Sequence, residues 1–285
     1  MSLLVKAGNG RIDNDGIVNV ANPSMTELGL KHISFGLLSL QGGEPRTIRT
    51  GSMEMAIVIL GGKAEIMWTG KNGECRAIVG ERPDVFSGKA WAICASPGSE
   101  FTLVGNADSP RVEMAVVRSL PLEQAKSFPG AAPGVTIVDP SMIGVRQAGR
   151  DCYLRTINDI SSAAEGRGLT RLIVGETFNP AGNWSSYPPH KHDQFTEDEE
   201  EELEEVYFFR LSPKEGFGFQ RVYSPERGID YAFAVEDCDT VAIPFGYHPV
   251  AAAPGCELYY LWALAGPRRA MRPRDDQRLV DALSL

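Results

Sequence analysis

The chain contains 285 residues, with 43% hydrophobic and 23% charged side chains and a formal net charge of −9. These proportions predict a soluble globular protein, long enough for one large domain or two ordinary ones. The acidic charge excludes a nucleic-acid partner, because phosphate binding requires a basic face, and no apolar run approaches the ~20 residues that cross a membrane.

The N-terminal segment and the cysteines bear on location. Residues 1–6 become polar too soon for a secretory signal. The five cysteines are scattered and include no CxxC pair. This pattern indicates reduced thiols and predicts a cytoplasmic protein, so we assign no cysteine a role.

The elements predicted in chain order are short strands separated by turns. Thirty glycines and nineteen prolines favour this pattern over long helices. Residues 55–60 and 63–68 form two predicted strands, and an Asn-Gly turn at 70–73 follows as a hairpin signal. Further strands are predicted at 90–94, 101–104, 112–117, 206–211 and 240–243, and short helices at 121–126 and 276–283.

The chain shows a weak internal duplication. Glu54 and Glu205 each precede an apolar strand, and Glu100 and His248 each follow a similar turn later in their half. Repetition at this long period indicates two related β-domains. A Pro/Gly/Ala-rich stretch lies between the halves, so we predict one domain at 1–126 and another at 127–285.

Three of the four histidines fall in short segments that are typical of metal sites. His190 and His192 form an HxH pair, and on a strand both imidazoles point to one face. By itself such a pair is more often two ordinary surface histidines. The residues that follow it decide between the two readings.

A carboxylate ligand is predicted at Glu205. It begins a strand whose alternation puts Tyr207 on the same face, where a carboxylate is costly unless it is paired or binds a cation. Glu197 is the alternative, because it lies closer to the HxH pair. It belongs to a glutamate-rich run that resembles a solvated loop, which makes Glu205 the preferred ligand.

His248 completes the predicted site. It follows the strand 240–243, with Gly246 allowing a tight bend and Pro249 fixing the exit. Three imidazoles and one carboxylate leave coordination positions open for water or substrate, as catalysis requires. The set His190, His192, Glu205 and His248 therefore predicts one divalent metal ion, and zinc, manganese, iron and nickel all suit these ligands.

This order of residues resembles the metal-binding signature of the cupin superfamily. The flanking segments are similar to those of the 5-deoxy-glucuronate isomerase family of inositol catabolism: WSSYPPHKHD (184–193), LEEVY (203–207), GYHPV (246–250), LYYL (258–261) and AGPRRA (265–270). The 4-deoxy-threo-5-hexosulose-uronate ketol-isomerases share the ligand pattern but not these segments. The resemblance is close over residues 140–275 and looser before them.

The resemblance implies an all-β bicupin fold, with two jelly-roll barrels. It implies the same four metal ligands and the conversion of 5-deoxy-glucuronate to 5-dehydro-2-deoxy-gluconate. The first half has no HxH pair and carries Glu100 where the repeat would place His248, so we expect a barrel without metal there. The expected partner is a small sugar acid, and a homo-oligomer is expected.

The remaining site residues are candidates only. Tyr207, Tyr247 and Glu176 could transfer a proton, although core packing explains Tyr207 equally well. The substrate carboxylate calls for an arginine, with Arg221 as first choice and Arg171 and Arg155 as alternatives.

Two other function classes stay open from the sequence. The same ligand set supports iron-dependent dioxygenases, and a sugar-acid sensor could use a structural metal. The choice between proton and hydride transfer is also open.

Overall fold

The computed structural model describes residues 2–122 and 134–283, and most of its regular structure is β-strand. The strands up to residue 138 are β1 (Leu4–Val5), β2 (Arg11–Ile12), β3 (Val18–Ala21), β4 (Ser34–Gln41), β5 (Pro45–Arg49), β6 (Glu54–Gly61), β7 (Ala64–Gly70), β8 (Gly73–Val79), β9 (Ala92–Ala95), β10 (Glu100–Gly105), β11 (Arg111–Ser119) and β12 (Val135–Val138).

The later strands are β13 (Gly144–Ala148), β14 (Arg155–Ser161), β15 (Ile173–Asn179), β16 (Trp184–Ser185), β17 (His190–Lys191), β18 (Asp193–Thr196), β19 (Glu200–Glu202), β20 (Glu204–Ser212), β21 (Gly218–Ser224), β22 (Ile229–Val235), β23 (Thr240–Ile243), β24 (Val250–Ala252), β25 (Glu257–Ala265) and β26 (Arg274–Asp275). The helix α1 (Gln277–Leu283) follows them. Short 3₁₀ turns occur at Thr26–Leu28, Pro140–Met142, Asp151–Tyr153 and Pro225–Arg227.

The predicted strands are confirmed, with ends that shift by at most two residues. The predicted hairpin is β7 and β8, which meet at Gly70 and Gly73. The C-terminal helix predicted at 276–283 is confirmed as α1. The helix predicted at 121–126 falls mainly outside the described residues. No helix in the described ranges is long and apolar enough to cross a membrane.

Two barrels form, each from a large and a small antiparallel sheet. In the first, a seven-stranded sheet (β12-β9-β6-β11-β4-β3-β2) faces a four-stranded one (β5-β10-β7-β8). In the second, β1-β23-β20-β25-β15-β14-β13 faces β16-β24-β21-β22. The strand orders correspond position by position, which is the architecture of a duplicated all-β domain, and each barrel encloses its own hydrophobic core.

The barrels exchange their edge strands. β1 pairs with β23 of the second barrel, with Leu4 opposite Val241, while β12 pairs with β9 of the first, with Val135 opposite Ala95. The domain boundary predicted at 126/127 falls outside the described residues and stays a prediction. Each barrel contains a strand from the other side of that boundary.

A third core joins the outer faces of the two large sheets. Every second side chain of β6 and β20, such as those of Val58 and Phe208, points out of its barrel and packs in the layer between the two barrels. Phe35 of β4 lies 5.5 Å from Phe208, measured between ring centroids. The two barrels therefore share one continuous apolar layer.

Two buried glutamates tie the barrels together in the same way. Glu54, the first residue of β6, accepts hydrogen bonds from the backbone N–H groups of residues 170–172 at 2.7–2.9 Å. Glu204, the first residue of β20, accepts them from residues 31–33 at 2.6–2.7 Å. The predicted pairing of Glu54 with Glu205 is therefore wrong by one residue, because Glu204 is the counterpart of Glu54.

Candidate metal centre

Strand β20 presents Glu205 to the interior of the second barrel. Tyr207 and Phe209 belong to the core of that barrel, and alternation places Glu205 on the same face. Glu204 and Val206 point the other way, toward the layer between the barrels. Glu205 is only 3% exposed, so its carboxylate needs a partner inside the barrel.

Two buried histidines converge on that carboxylate. The Nε2 atoms of His192 and His248 each lie 3.2 Å from Glu205 Oε2. Ligand atoms of these three residues all lie within 4.8 Å of one another. The turn before His248 requires Gly246, whose φ is +87° and whose Cα faces the carbonyl oxygen of Tyr223 so closely that a Cβ would lie 2.6 Å from it.

The other ring nitrogen of each histidine is occupied. His192 Nδ1 lies 3.0 Å from the carbonyl oxygen of Leu203, and His248 Nδ1 lies 2.8 Å from that of Gly246. Because a carbonyl only accepts, each Nδ1 carries the hydrogen. A neutral ring with its hydrogen on Nδ1 has a lone pair on Nε2, and in both residues Nε2 faces the Glu205 carboxylate. This is a tautomer that metal-binding histidines use.

His190 lies at the edge of this cluster. Its ring centroid is 4.9 Å from that of His248 and 6.3 Å from that of His192. Burial, with the neighbouring His248 and His192, lowers the pKa of His190 well below its usual value. It is therefore neutral at physiological pH, as a metal ligand must be.

The charges in the cluster suit a bound cation. Burial acts to raise the pKa of Glu205, but His192 and His248 outweigh it and hold the pKa at about 2. Lone pairs and a negative oxygen that meet in a buried space repel each other unless a proton or a metal lies between them. His248 Nε2 has no hydrogen-bond partner among the described residues. The donor set therefore fits one divalent metal ion.

The acidic run between His192 and Glu205 supports the site from outside. Glu200 is buried and accepts from Lys191 Nζ at 2.9 Å, and Asp193 accepts from the same nitrogen at 2.7 Å. Asp193 also accepts from the backbone N–H of Gly246 at 3.0 Å. The HxH segment is thereby linked to the turn that carries His248. Glu197, the alternative ligand, is exposed in the turn between β18 and β19.

The C-terminal arm adds a strand beside the HxH segment. In β26, Asp275 pairs with His190 and Arg274 with Lys191. The buried Asp276 donates its N–H to the carbonyl oxygen of Pro189 and accepts from the Tyr223 hydroxyl, both at 2.7 Å. The sequence analysis did not predict this contact, because residues 274–276 are far along the chain from residues 189–191 and no local pattern links them.

Two of the candidate residues lie close to the cluster. The Tyr207 ring centroid is 5.8 Å from that of His248, and its hydroxyl is 3.0 Å from that of Ser186. Burial, then Glu205 and Tyr260, raise the pKa of Tyr207 well above its usual value. Arg155 donates from Nη1 to the carbonyl oxygen of Tyr187, and its charge adds to the lowering of the His190 pKa that burial begins.

Tyr247 and Glu176 face away from the cluster. Tyr247 lies between β23 and β24 and is bridged to Tyr223, and the two rings stack at 5.2 Å between centroids on the side of the small sheet where Arg221 also contacts Tyr223. Glu176 lies between the barrels, where it accepts from Arg82 at 2.5 Å and from the Tyr259 hydroxyl at 2.9 Å. The structure therefore brings neither of these two proposed proton-transfer groups to the cluster.

Arg221 and Arg171 are also elsewhere. Arg221 is about half exposed on the outer face of β21 and forms a two-point ion pair with Asp230 at 2.7 and 2.8 Å. Arg171 lies between the barrels, where its guanidinium contacts His32 and the carbonyl oxygen of Gly266. Of the three candidate arginines, the structure brings only Arg155 near the cluster.

Other polar residues inside the barrel were not predicted. Tyr260 stacks against Tyr207 at 4.3 Å and shares a hydrogen bond with Ser185. Gln220 is fully buried beside Val222. The available signal was the alternation of β21, which exposes Phe219 and Arg221 and buries Gln220 between them.

Two barrels in one chain, one of which holds buried histidines and a carboxylate with their ligand atoms together, define a bicupin with a candidate metal centre in its second barrel. The KduI/IolB family profile matches residues 3–281, and the chain belongs to this family.

Curated relatives agree with that membership. A 5-deoxy-glucuronate isomerase of Geobacillus thermodenitrificans is 36% identical over 259 residues, which cover 90% of this chain and 89% of the relative. One from Shouchella clausii is 32% identical and covers 97% of both chains. Another from Bacillus subtilis strain 168 is 31% identical, again over 97% of both.

Solved structures show the same fold. An IolB-like protein from Salmonella typhimurium LT2 superimposes with a TM-score of 0.83 at 28% identity and covers 98% of both chains. An oxalate decarboxylase of Lactobacillus farciminis superimposes with a TM-score of 0.67 at 12% identity, over all of this chain and 94% of the other. At that identity the second likeness concerns the fold alone.

Proposed function

We propose that the protein is a metal-dependent aldose–ketose isomerase that converts 5-deoxy-glucuronate to 5-dehydro-2-deoxy-gluconate. The observation that carries the metal part of this proposal is the convergence of the Nε2 atoms of His192 and His248 on one oxygen of Glu205, each at 3.2 Å, in a buried space. The substrate comes from the relatives, which bear the name of this isomerase over nearly the whole chain.

The protein side chains divide the work around His190, His192, Glu205 and His248, the proposed ligands. A bound divalent cation would polarise the neighbouring carbonyl and hydroxyl oxygens of the sugar acid as a Lewis acid. Arg155 would hold the substrate carboxylate, because a guanidinium can bind both of its oxygens. Tyr207 stays protonated at neutral pH because its pKa is raised, so its hydroxyl can donate to a substrate oxygen.

Metal exchange tests the activity. The protein is stripped with a chelator, reloaded separately with zinc, manganese, iron(II) or nickel, and mixed with 5-deoxy-glucuronate in D₂O under NMR observation. We expect isomerisation without oxygen uptake in at least one metal-loaded form and none in the stripped form. Deuterium in the product would indicate proton transfer, and its absence a hydride shift. Oxygen consumption would instead support a dioxygenase, and binding without turnover a sensor.

A matched pair of variants tests whether Arg155 binds the carboxylate of the substrate. In Arg155→Lys a point charge replaces the two-point donor, so we expect KM to rise about tenfold, the loss of roughly 1.4 kcal/mol of binding. Arg221→Lys changes a solvent-exposed ion pair and should leave KM unchanged. A KM that rises only in Arg221→Lys would contradict the assignment. Homo-oligomer formation and the cytoplasmic location stay predictions.

A further inference from the structure

The side chain of Gln220 is an unexplained polar group in the second barrel. Its exposure is 0%, and neither the amide oxygen nor the amide nitrogen has a hydrogen-bond partner among the described residues. A primary amide offers two donors and an acceptor with two lone pairs. Burying all of them without partners costs free energy that an apolar side chain would not.

The position of Gln220 relates it to the candidate metal centre. On β21, Gln220 pairs directly with Val250 of β24. His248 lies two residues before Val250, just before β24 begins, and its ring is 5.8 Å from that of Tyr207 in the core of the same barrel, which makes it the diagonal neighbour of Gln220. Such diagonal neighbours have β-carbons about 7–8 Å apart, within reach of a long side chain. The Gln220 amide therefore belongs to the same interior space as the cluster.

The first barrel shows that the fold itself does not require an amide there. On β10, Phe101 and Leu103 face inward, and Leu103 pairs with Ile66 of β7 in the way that Val250 pairs with Gln220. Ile66 is a fully buried hydrocarbon side chain. A polar residue at this place in the second barrel is therefore explained by what the barrel binds.

We infer that Gln220 is a specificity-determining residue. Its amide hydrogen-bonds a hydroxyl group of the sugar acid while the reacting end of the acid lies at the candidate metal centre. A hydroxyl both donates and accepts, so one hydroxyl can satisfy the amide oxygen, the amide nitrogen or both. A polyhydroxylated acid is thereby distinguished from an acid of similar size without that hydroxyl. The inference rests on the proposed function for the identity of the acid.

Gln220→Met tests this inference, because methionine has nearly the same length and shape and no amide. We expect KM for 5-deoxy-glucuronate to rise about tenfold, with kcat changed less than threefold, metal content unchanged and Tm equal or higher. Ile66→Met in the first barrel is the matched control and should leave KM unchanged.

Mono-deoxy analogues of the acid identify the hydroxyl. The wild type should bind one analogue about tenfold more weakly than the parent acid, and Gln220→Met should bind the two alike. An unchanged KM together with a lower Tm in Gln220→Met would overturn the inference and assign the amide to a structural water.

The inference and the proposed function can fail separately. If the metal-loaded wild type does not turn over 5-deoxy-glucuronate, the proposed function fails. Calorimetric binding of the same acid to wild type and Gln220→Met still tests the amide. Equal binding constants, or no binding by either, would contradict the role of Gln220.

Discussion

The two barrels of this protein share a strand order and differ in what fills them. The interior of the first contains hydrocarbon at the places where the second carries its polar groups. Met55 follows the buried Glu54 as Glu205 follows Glu204, and both lie second on their strand. Phe101 is the first inward side chain after the turn at Gly98, as His248 is after the turn at Gly246.

The chain between two strands differs as well. In the first barrel, residues 50–53 connect β5 to β6, whereas residues 186–203 connect β16 to β20 and carry both histidines of the HxH pair. The earlier expectation that Glu100 occupies the place of His248 is wrong, because Glu100 is exposed and pairs with Arg49. The two barrels therefore have the same strand order, and the candidate metal centre of the second depends on a few inward side chains and one longer connection.

The largest expected difference between the barrels is in activity. His248→Ala removes a proposed metal ligand, so we expect loss of bound metal and at least a thousandfold loss of isomerisation, equivalent to roughly 4 kcal/mol. Elemental analysis and the NMR assay measure both. Phe101→Ala, at the corresponding place in the first barrel, should keep the metal but lower the unfolding free energy by about 3–5 kcal/mol. Full activity in metal-free His248→Ala would refute the catalytic role of the centre.

The two glutamates between the barrels offer a smaller and more symmetrical test. Glu54→Gln and Glu204→Gln each place an amide NH₂ near backbone donors, so we expect each to lower the unfolding free energy by about 1–3 kcal/mol in chemical denaturation. Only Glu204→Gln should also weaken metal binding, because Glu204 is adjacent to Glu205 on β20. Equal metal affinities in both variants would show that the hydrogen bonds of Glu204 do not affect the position of the proposed ligand Glu205.

The smallest effect concerns pH and is confined to the second barrel. Burial acts to lower the pKa of His192, but the hydrogen bond and charge of Glu205 outweigh it, so the pKa is raised above 6.5. In the metal-free protein this histidine stabilises the fold fully below pH 6.5 and loses its contribution as the pH rises through the folded pKa. A metal replaces its proton, so metal affinity should fall about tenfold per pH unit below that pKa.

Thermal melts and metal titrations between pH 5 and 9 measure both trends, starting from the reference value of about 6.5 for histidine. His192→Gln is the control, and its metal-free form should lack this part of the pH dependence. The places in the first barrel that correspond to Glu205, His248 and Gln220 hold Met55, Phe101 and Ile66, which do not titrate. A metal-free wild type that becomes more stable than His192→Gln as the pH rises would contradict the assignment.

Short-range patterns predicted the strands, the duplication and the cluster of possible ligands, while the bicupin fold was implied by the resemblance to the cupin superfamily. Alternation along β20 distinguished Glu205 from the glutamates before it, and Gly246 marked the turn before His248. The HxH pair was visible from its spacing, and Glu205 and His248 made it a predicted metal site. These signals use one strand or one turn, where the backbone geometry fixes the direction of each side chain.

The sequence could not predict which other polar residues reach the centre. Tyr247 is adjacent to His248, but extended backbone sends neighbouring side chains to opposite faces, so closeness in the chain was misleading. Arg221 and Gln220 are likewise neighbours, and choosing the inward one required the register of β21 against β24. Placing Glu176 between the barrels would have required knowing that it pairs with Arg82, which belongs to the first half of the chain.

The exchanged edge strands make the metal-binding barrel an inseparable part of the chain. A fragment that began after residue 139 would lack β1, and the N–H and C=O groups of β23 that now meet Leu4 and Val5 would be open to solvent. A fragment of the first barrel without β12 would expose β9 in the same way. Unpaired edges of this kind recruit strands from other molecules, so halves produced separately would aggregate unless they were supplied together.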